Sequence, residues 1–118
     1  MSGIQRIGNV FYRVPDMAAA VRFYQDVLGL SLKLRDGERW AAFDVGGSTL
    51  ALEGGASGGP GGATVSLRTD GLESVVDTLR TRGAQVSDVE TGPHERRATL
   101  HDPAGNTLVL YEPLPRLS

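Results

Sequence analysis

The sequence contains no cysteine, which removes a disulfide framework, a thiol nucleophile and a thiolate metal site together. A cysteine-free chain fits a reducing compartment, and a cytoplasmic location is expected. No apolar run approaches the length needed to cross a bilayer, and no basic segment leads into an apolar one near the start. Neither a membrane span nor a signal peptide is therefore expected. Charge of one sign is also missing: the formal net charge is -2 and the isoelectric point is near 5.6. Arg13, Arg22, Arg35 and Arg39 are dispersed and Arg96-Arg97 is only a pair, which leaves no electrostatic footprint for nucleic acid. No Gly-x-Ser-x-Gly elbow and no His-Glu-x-x-His run occurs, so two common hydrolytic devices are absent.

What is present is a pattern written twice. The alternating segment 4–14 reads as a strand. Asp16 then stands before the stripe Met17, Ala20, Val21, Tyr24 and Leu28, the spacing of an amphipathic helix with Asp16 as its N-cap and Gly29 as its stop. Residues 31–36, 39–45 and 48–53 read as strands separated by the turn signals Asp36-Gly37 and Gly46-Gly47. Gly54 to Gly62 has too few side chains to pack and reads as a linker. A phosphate-cradling loop is the alternative there, but it lacks a Gly-Lys-Ser/Thr ending and a following helix. The order then recurs: strand 63–69, a helix over Leu72 to Arg82 closed by Gly83, and strands near 85–90, 96–101 and 106–112. The expected fold is α+β, two tandem βαβββ modules, one over about residues 4–53 and the other over about 63–112. A chain of 118 residues is long enough for a single domain with a real core, burying roughly two thirds of its unfolded surface.

Alternation within the strands sorts side chains onto two faces. Val10, Val14, Leu50, Leu52, Val65, Leu67, Leu108 and Leu110 form one set, all aliphatic, as a helix-covered face requires. Asn9, Phe11, Arg13, Thr49, Ala51, Glu53, Thr64, Ser66, Arg68, Thr107, Val109 and Tyr111 form the other, which is small, polar and partly aromatic. Such a face suits a partly wet ligand surface. A face buried against a second subunit is the competing reading. Trp40 lies in a middle strand whose facing the pattern does not fix.

The segments Asn9-Val-Phe-Tyr-Arg-Val-Pro-Asp16, Phe23-Tyr24-Gln-Asp-Val-Leu28-Gly29-Leu30 and Asp102-Pro103-Ala-Gly105-Asn106 resemble the vicinal oxygen chelate superfamily. That superfamily includes glyoxalase I, extradiol dioxygenases, fosfomycin-modifying enzymes and bleomycin-resistance binding proteins. The resemblance spans residues 4–112 and implies an incomplete, cupped β-barrel with helices outside it, and a homodimer. Metal-dependent members carry ligands where this chain has Asn9, Ala51, Thr64 and Val109. Ala51 and Val109 have no donor atom, so a member without the central metal is expected. A displaced divalent metal site from Glu53, His94 and His101 is the alternative. The Asp102 segment also has a plain role, turning the chain with Pro103 and Gly105.

The expected ligand-binding residues are Asn9, Phe11, Arg13, Trp40, Ala51, Glu53, Thr64, Ser66, Arg68, Val109 and Tyr111. The expected ligand is a small aromatic or amphipathic molecule, stacked on planar side chains and oriented by Arg13 and Tyr111. Acid-base chemistry at Glu53 competes with a plain ion pair to an arginine. The resemblance implies two functions. The favoured one is a metal-free binding protein of the drug-sequestering, resistance type. The other is a glyoxalase-like lyase, isomerase or dioxygenase working with one divalent metal ion.

Overall fold

Strand β1 (Val10–Val14) opens the first module, and helix α1 (Met17–Arg22) follows at once because Asp16 caps it. The Asp16 carboxylate accepts the Ala19 amide at 3.1 Å, satisfying a donor that the first helical turn leaves over. The helix then widens into a π turn over Phe23–Val27, where the Leu28 amide donates to the Phe23 carbonyl. Gly29 closes it with φ at 76°, which brings the Leu30 amide onto the Tyr24 carbonyl. Strands β2 (Ser31–Asp36), β3 (Trp40–Val45) and β4 (Ser48–Gly54) complete a sheet of order β1-β4-β3-β2, with β1 and β4 parallel. Tyr24, Phe43, Leu52 and Val14 are its most enclosed large side chains, each contributing about 2 kcal/mol by leaving water.

The second module repeats this order. Strand β5 (Val65–Arg68), helix α2 (Leu72–Thr81) and strands β6 (Glu90–Thr91), β7 (Glu95–His101) and β8 (Thr107–Pro113) give a sheet of order β5-β8-β7-β6, with β5 and β8 parallel. Helix α2 buries Leu72, Val76 and Leu79. It ends in a Schellman arrangement, with Gly83 at φ 93° and the Ala84 amide on the Leu79 carbonyl. At its start Gly71 has no side chain to cap with. The Glu112 carboxylate of β8 accepts the Gly71 amide instead, at 2.7 Å. These features come from a computed structural model that describes residues 3, 7–55 and 64–115. The chain divides into two compact units, Met1–Gly59 and Pro60–Ser118, and each carries one βαβββ module.

The expected architecture is present, with local corrections. The opening strand begins at Val10 rather than residue 4; residues 7–9 are not strand, and residues 4–6 lie outside the described residues. Its ladder runs only from Val10 opposite Leu50 to Val14 opposite Gly54. Below Val10 stands Gly8, which offers no side chain to pack. The strand expected over 85–90 shrinks to a bridge between Val86 and Leu100 and the two residues of β6. Ser87 explains the loss: its hydroxyl oxygen accepts the Thr99 amide at 2.8 Å, taking the place of a ladder carbonyl. Gly54 belongs to β4 rather than to a linker, and a Cβ there would meet the Glu38 carbonyl oxygen at 1.8 Å. The rest of the expected linker, from residue 56 on, lies outside the described residues. Among the described residues no helix is long and apolar enough to cross a membrane.

Candidate functional site

Each sheet has one face under its helix and one face without a helix. In the first module the register settles the second face. Arg13, Glu53 and Trp40 lie in one row across β1, β4 and β3, and Phe11, Ala51 and Ala42 lie in the next. Trp40, whose facing the sequence pattern left open, is therefore on the side of Phe11 and Arg13. The two aromatic rings come from strands on either side of β4, with centroids 5.6 Å apart and planes tilted by 55°. That distance and tilt suit an aromatic pair. Such a meeting across an intervening strand needs a small residue between, and Ala51 supplies it at 0% exposure. Half of Phe11 remains exposed.

Polar groups frame this aromatic patch. Arg13 Nε lies 3.3 Å from Glu53 Oε1, so Glu53 is held as an ion pair, the plain reading of that carboxylate. Both partners are well exposed and the pair contributes about 0–1 kcal/mol. The Lys33 ammonium donates to the Thr49 hydroxyl, and Lys33 stands at a register shift between Leu32 and Leu34. Asn9 is exposed and precedes β1.

In the second module the open face is built the same way. Arg68, Tyr111 and Arg97 form one row across β5, β8 and β7, and Ser66, Val109 and Thr99 form the next. Val109 is 9% exposed, and Thr64 is exposed just ahead of β5. Arg97 also lines a cavity of ≈ 350 Å³ with Glu90, Thr91, Gly92, Pro93, His94 and Glu95. On the opposite, helix-covered face, Arg96 pairs with Glu73 of α2. Its pKa is raised, chiefly by the hydrogen bond to Glu73, with the charges of Glu73 and Glu112 adding to it. Arg96 thus ties helix to sheet, while its neighbour Arg97 faces away. Sequence reading passed over Arg97, Thr99 and Lys33. The parity of strand β7 could have placed the first two, and alternation from Ser31, in one row with Asp44 and Thr49, could have placed Lys33.

The superfamily's metal positions do not fit a divalent cation here. The methyl of Ala51 and the isopropyl of Val109 carry no lone pair, and Asn9 and Thr64 bring no charge to offset the ion. The displaced set fares no better. His94 and His101 bracket β7 (Glu95–His101) at opposite ends, on the order of 20 Å apart in extended chain, so one ion cannot bind both. Among the described residues no group of three His, Cys, Asp or Glu side chains could hold a metal ion. Asp102 is buried at 4% exposure, and its carboxylate accepts the Ala104 and Asn106 amides and the Asn106 side-chain amide. It turns the chain, as its motif suggested.

An uncharacterized protein of Mycolicibacterium smegmatis is 39% identical over 99 residues, covering 82% of this chain and 84% of that protein. Among solved structures, a Bacillus anthracis protein ascribed to the glyoxalase family superposes with a TM-score of 0.84 at 20% identity, over 97% of this chain and 99% of its own. An antibiotic-binding protein from a Streptomyces strain superposes with a TM-score of 0.82 at 25% identity, over 97% of this chain and 100% of its own. Residues 9–111 match the family described as the glyoxalase-like domain. Both βαβββ modules lie within that match, so the chain belongs to the glyoxalase-like domain family, within the vicinal oxygen chelate superfamily.

Proposed function

We propose that this protein binds and sequesters a flat aromatic small molecule without a metal and without altering it, a role of the drug-resistance type. The observation that carries the reading is the Phe11–Trp40 pair set over Ala51. A stacking surface stands where metal-dependent relatives place a carboxylate ligand. Sequestration needs a fitted surface and a few polar anchors, and Arg13, Glu53 and Asn9 surround this one. Thr64, Ser66, Arg68, Val109 and Tyr111 are proposed contacts on the open face of their own sheet. The likeness to an antibiotic-binding protein supports the same reading. A homodimer in the cytoplasm belongs to the proposal. A metal-dependent lyase, isomerase or dioxygenase would need charged or imidazole donors that Asn9, Ala51, Thr64 and Val109 do not supply.

The test is a titration of Trp40, the single tryptophan, with neutral 2-naphthamide and a panel of polycyclic aromatic antibiotics in the presence of EDTA. Saturable quenching is expected, with the ligand recovered unchanged by mass spectrometry. Phe11→Ala should weaken binding by about tenfold or more, the loss of one aromatic contact. Quenching that requires an added divalent cation, or recovery of a converted product, would replace this reading with the enzymatic one.

A further inference from the structure

The open face of the second sheet carries two guanidinium groups, Arg68, already a proposed contact, and Arg97, which the binding role above does not use. Arg68 of β5 and Arg97 of β7 flank Tyr111 of β8 in one cross-strand row. Both arginines are exposed, and among the described residues neither has a carboxylate within ion-pair distance. This differs from Arg13, Arg39, Arg80 and Arg96, each of which is paired with an acidic side chain. Glu90 is opposite Arg97 on its far side, in edge strand β6; it closes no ion pair and leaves the side toward Tyr111 to positive charge. Tyr111 brings a phenol that can donate, and its half-buried ring lies between the two arginines. One row away, Ser66, Val109 and Thr99 offer a hydroxyl, an aliphatic side chain and a second hydroxyl.

We infer that Arg68, Tyr111 and Arg97 form a carboxylate clamp and that the ligand is an anionic aromatic, a ring carrying a carboxylate. Guanidinium groups present paired N–H donors that match the two oxygens of a planar carboxylate. The phenol supplies a third donor, and the ring of the ligand lies over Val109 in the adjoining row. Val109 then has a positive use: a donor-free, apolar seat at the position where relatives hold a metal. The inference rests on the binding function proposed above and names the chemical class of its ligand.

The experiment is an NMR titration of the full-length isotope-labelled chain with 2-naphthoate and, separately, with its neutral counterpart 2-naphthamide. The naphthoate is expected to shift the side-chain N–H signals of Arg68 and Arg97 and to bind about tenfold tighter than the amide, the gain from a charge-assisted bond. Arg68→Met and Arg97→Met, which keep the aliphatic stem, should each cost the naphthoate about tenfold, and Arg97→Met should leave the amide unchanged. Added salt should weaken the naphthoate alone. Their amide spectra check that both variants remain folded. Equal binding of acid and amide, or naphthoate affinity untouched by both substitutions, overturns the clamp. In that event, loss of 2-naphthamide binding on Phe11→Ala would show that the aromatic-binding reading survives without it.

Discussion

Asp102 and Ala51 show how much a single position can decide. The Asp102 carboxylate accepts hydrogen bonds from the Ala104 and Asn106 amides and the Asn106 side chain, no more than four positions along the chain, so it holds one turn in a buried place. Removing it takes one acceptor from two backbone amides and from the Asn106 side chain. Asp102→Ala should therefore lower unfolding free energy by about 2–4 kcal/mol in urea titration while leaving ligand affinity at sites on other strands intact. Ala51 acts through its smallness. Replacing it with glutamate, the ligand type found there in metal-dependent relatives, would drive a carboxylate into a fully enclosed position under two aromatic rings. Ala51→Glu is expected to cost about 3 kcal/mol or more, read as a lowered melting temperature. Added Mn²⁺ should not restore it, because no imidazole stands at Asn9 to share the ion. The side of the sheet taken by Phe11, Arg13 and Ala51 was legible from alternation alone. That of Trp40 was not, since it depends on which residue of β4 the strand pairs with.

At the scale of elements, what the chain settles locally could be read, and what it settles across distance could not. The N-cap at Asp16 and the left-handed stops at Gly29 and Gly83 depend on residues within a turn of one another, and all three are where the sequence put them. The start of α2 is different. Gly71 offers no cap, and its amide is taken by Glu112, 41 residues away on β8, a partnership that only the folded sheet creates. Glu112 also adds to the field that favours charged Arg96, after Glu73. Glu112→Ala should cost about 1 kcal/mol or somewhat more, the usual loss when a helix N-terminus forfeits its cap and a favourable negative charge. The Leu72 amide and its neighbours should then exchange with solvent faster than those near Leu79. The missing strand at 85–90 has the same origin: Ser87 bonds to Thr99 in β7 through its side chain, and no propensity within the segment announces that.

For the molecule as a whole, the duplicated order was the strongest signal in the sequence, and it survives in detail. Each module joins its first and last strands in parallel and places the third strand beside the last. Few residues are identical between the halves. The repeat was visible because helix and strand periodicities recur in order, and those periodicities record which side of each element meets the core. What periodicity cannot record is what covers the remaining apolar surface. Ile7 is 81% exposed and Leu34 is 56% exposed, with Val10 and Phe11 also open. Leu34 lies on β2, an edge strand of its sheet, where unpaired backbone groups and an exposed aliphatic side chain together favour a partner. The proposed homodimer would cover such surface. At micromolar concentration the 12.5 kDa chain should sediment at about twice its mass, the two-fold closure commonest among oligomers. Leu34→Glu should then shift it to monomer, since a carboxylate buried without a partner is disfavoured. A wild-type chain that sediments at its own mass would remove the dimer from the proposal and leave both ligand-binding faces to be judged on titration alone.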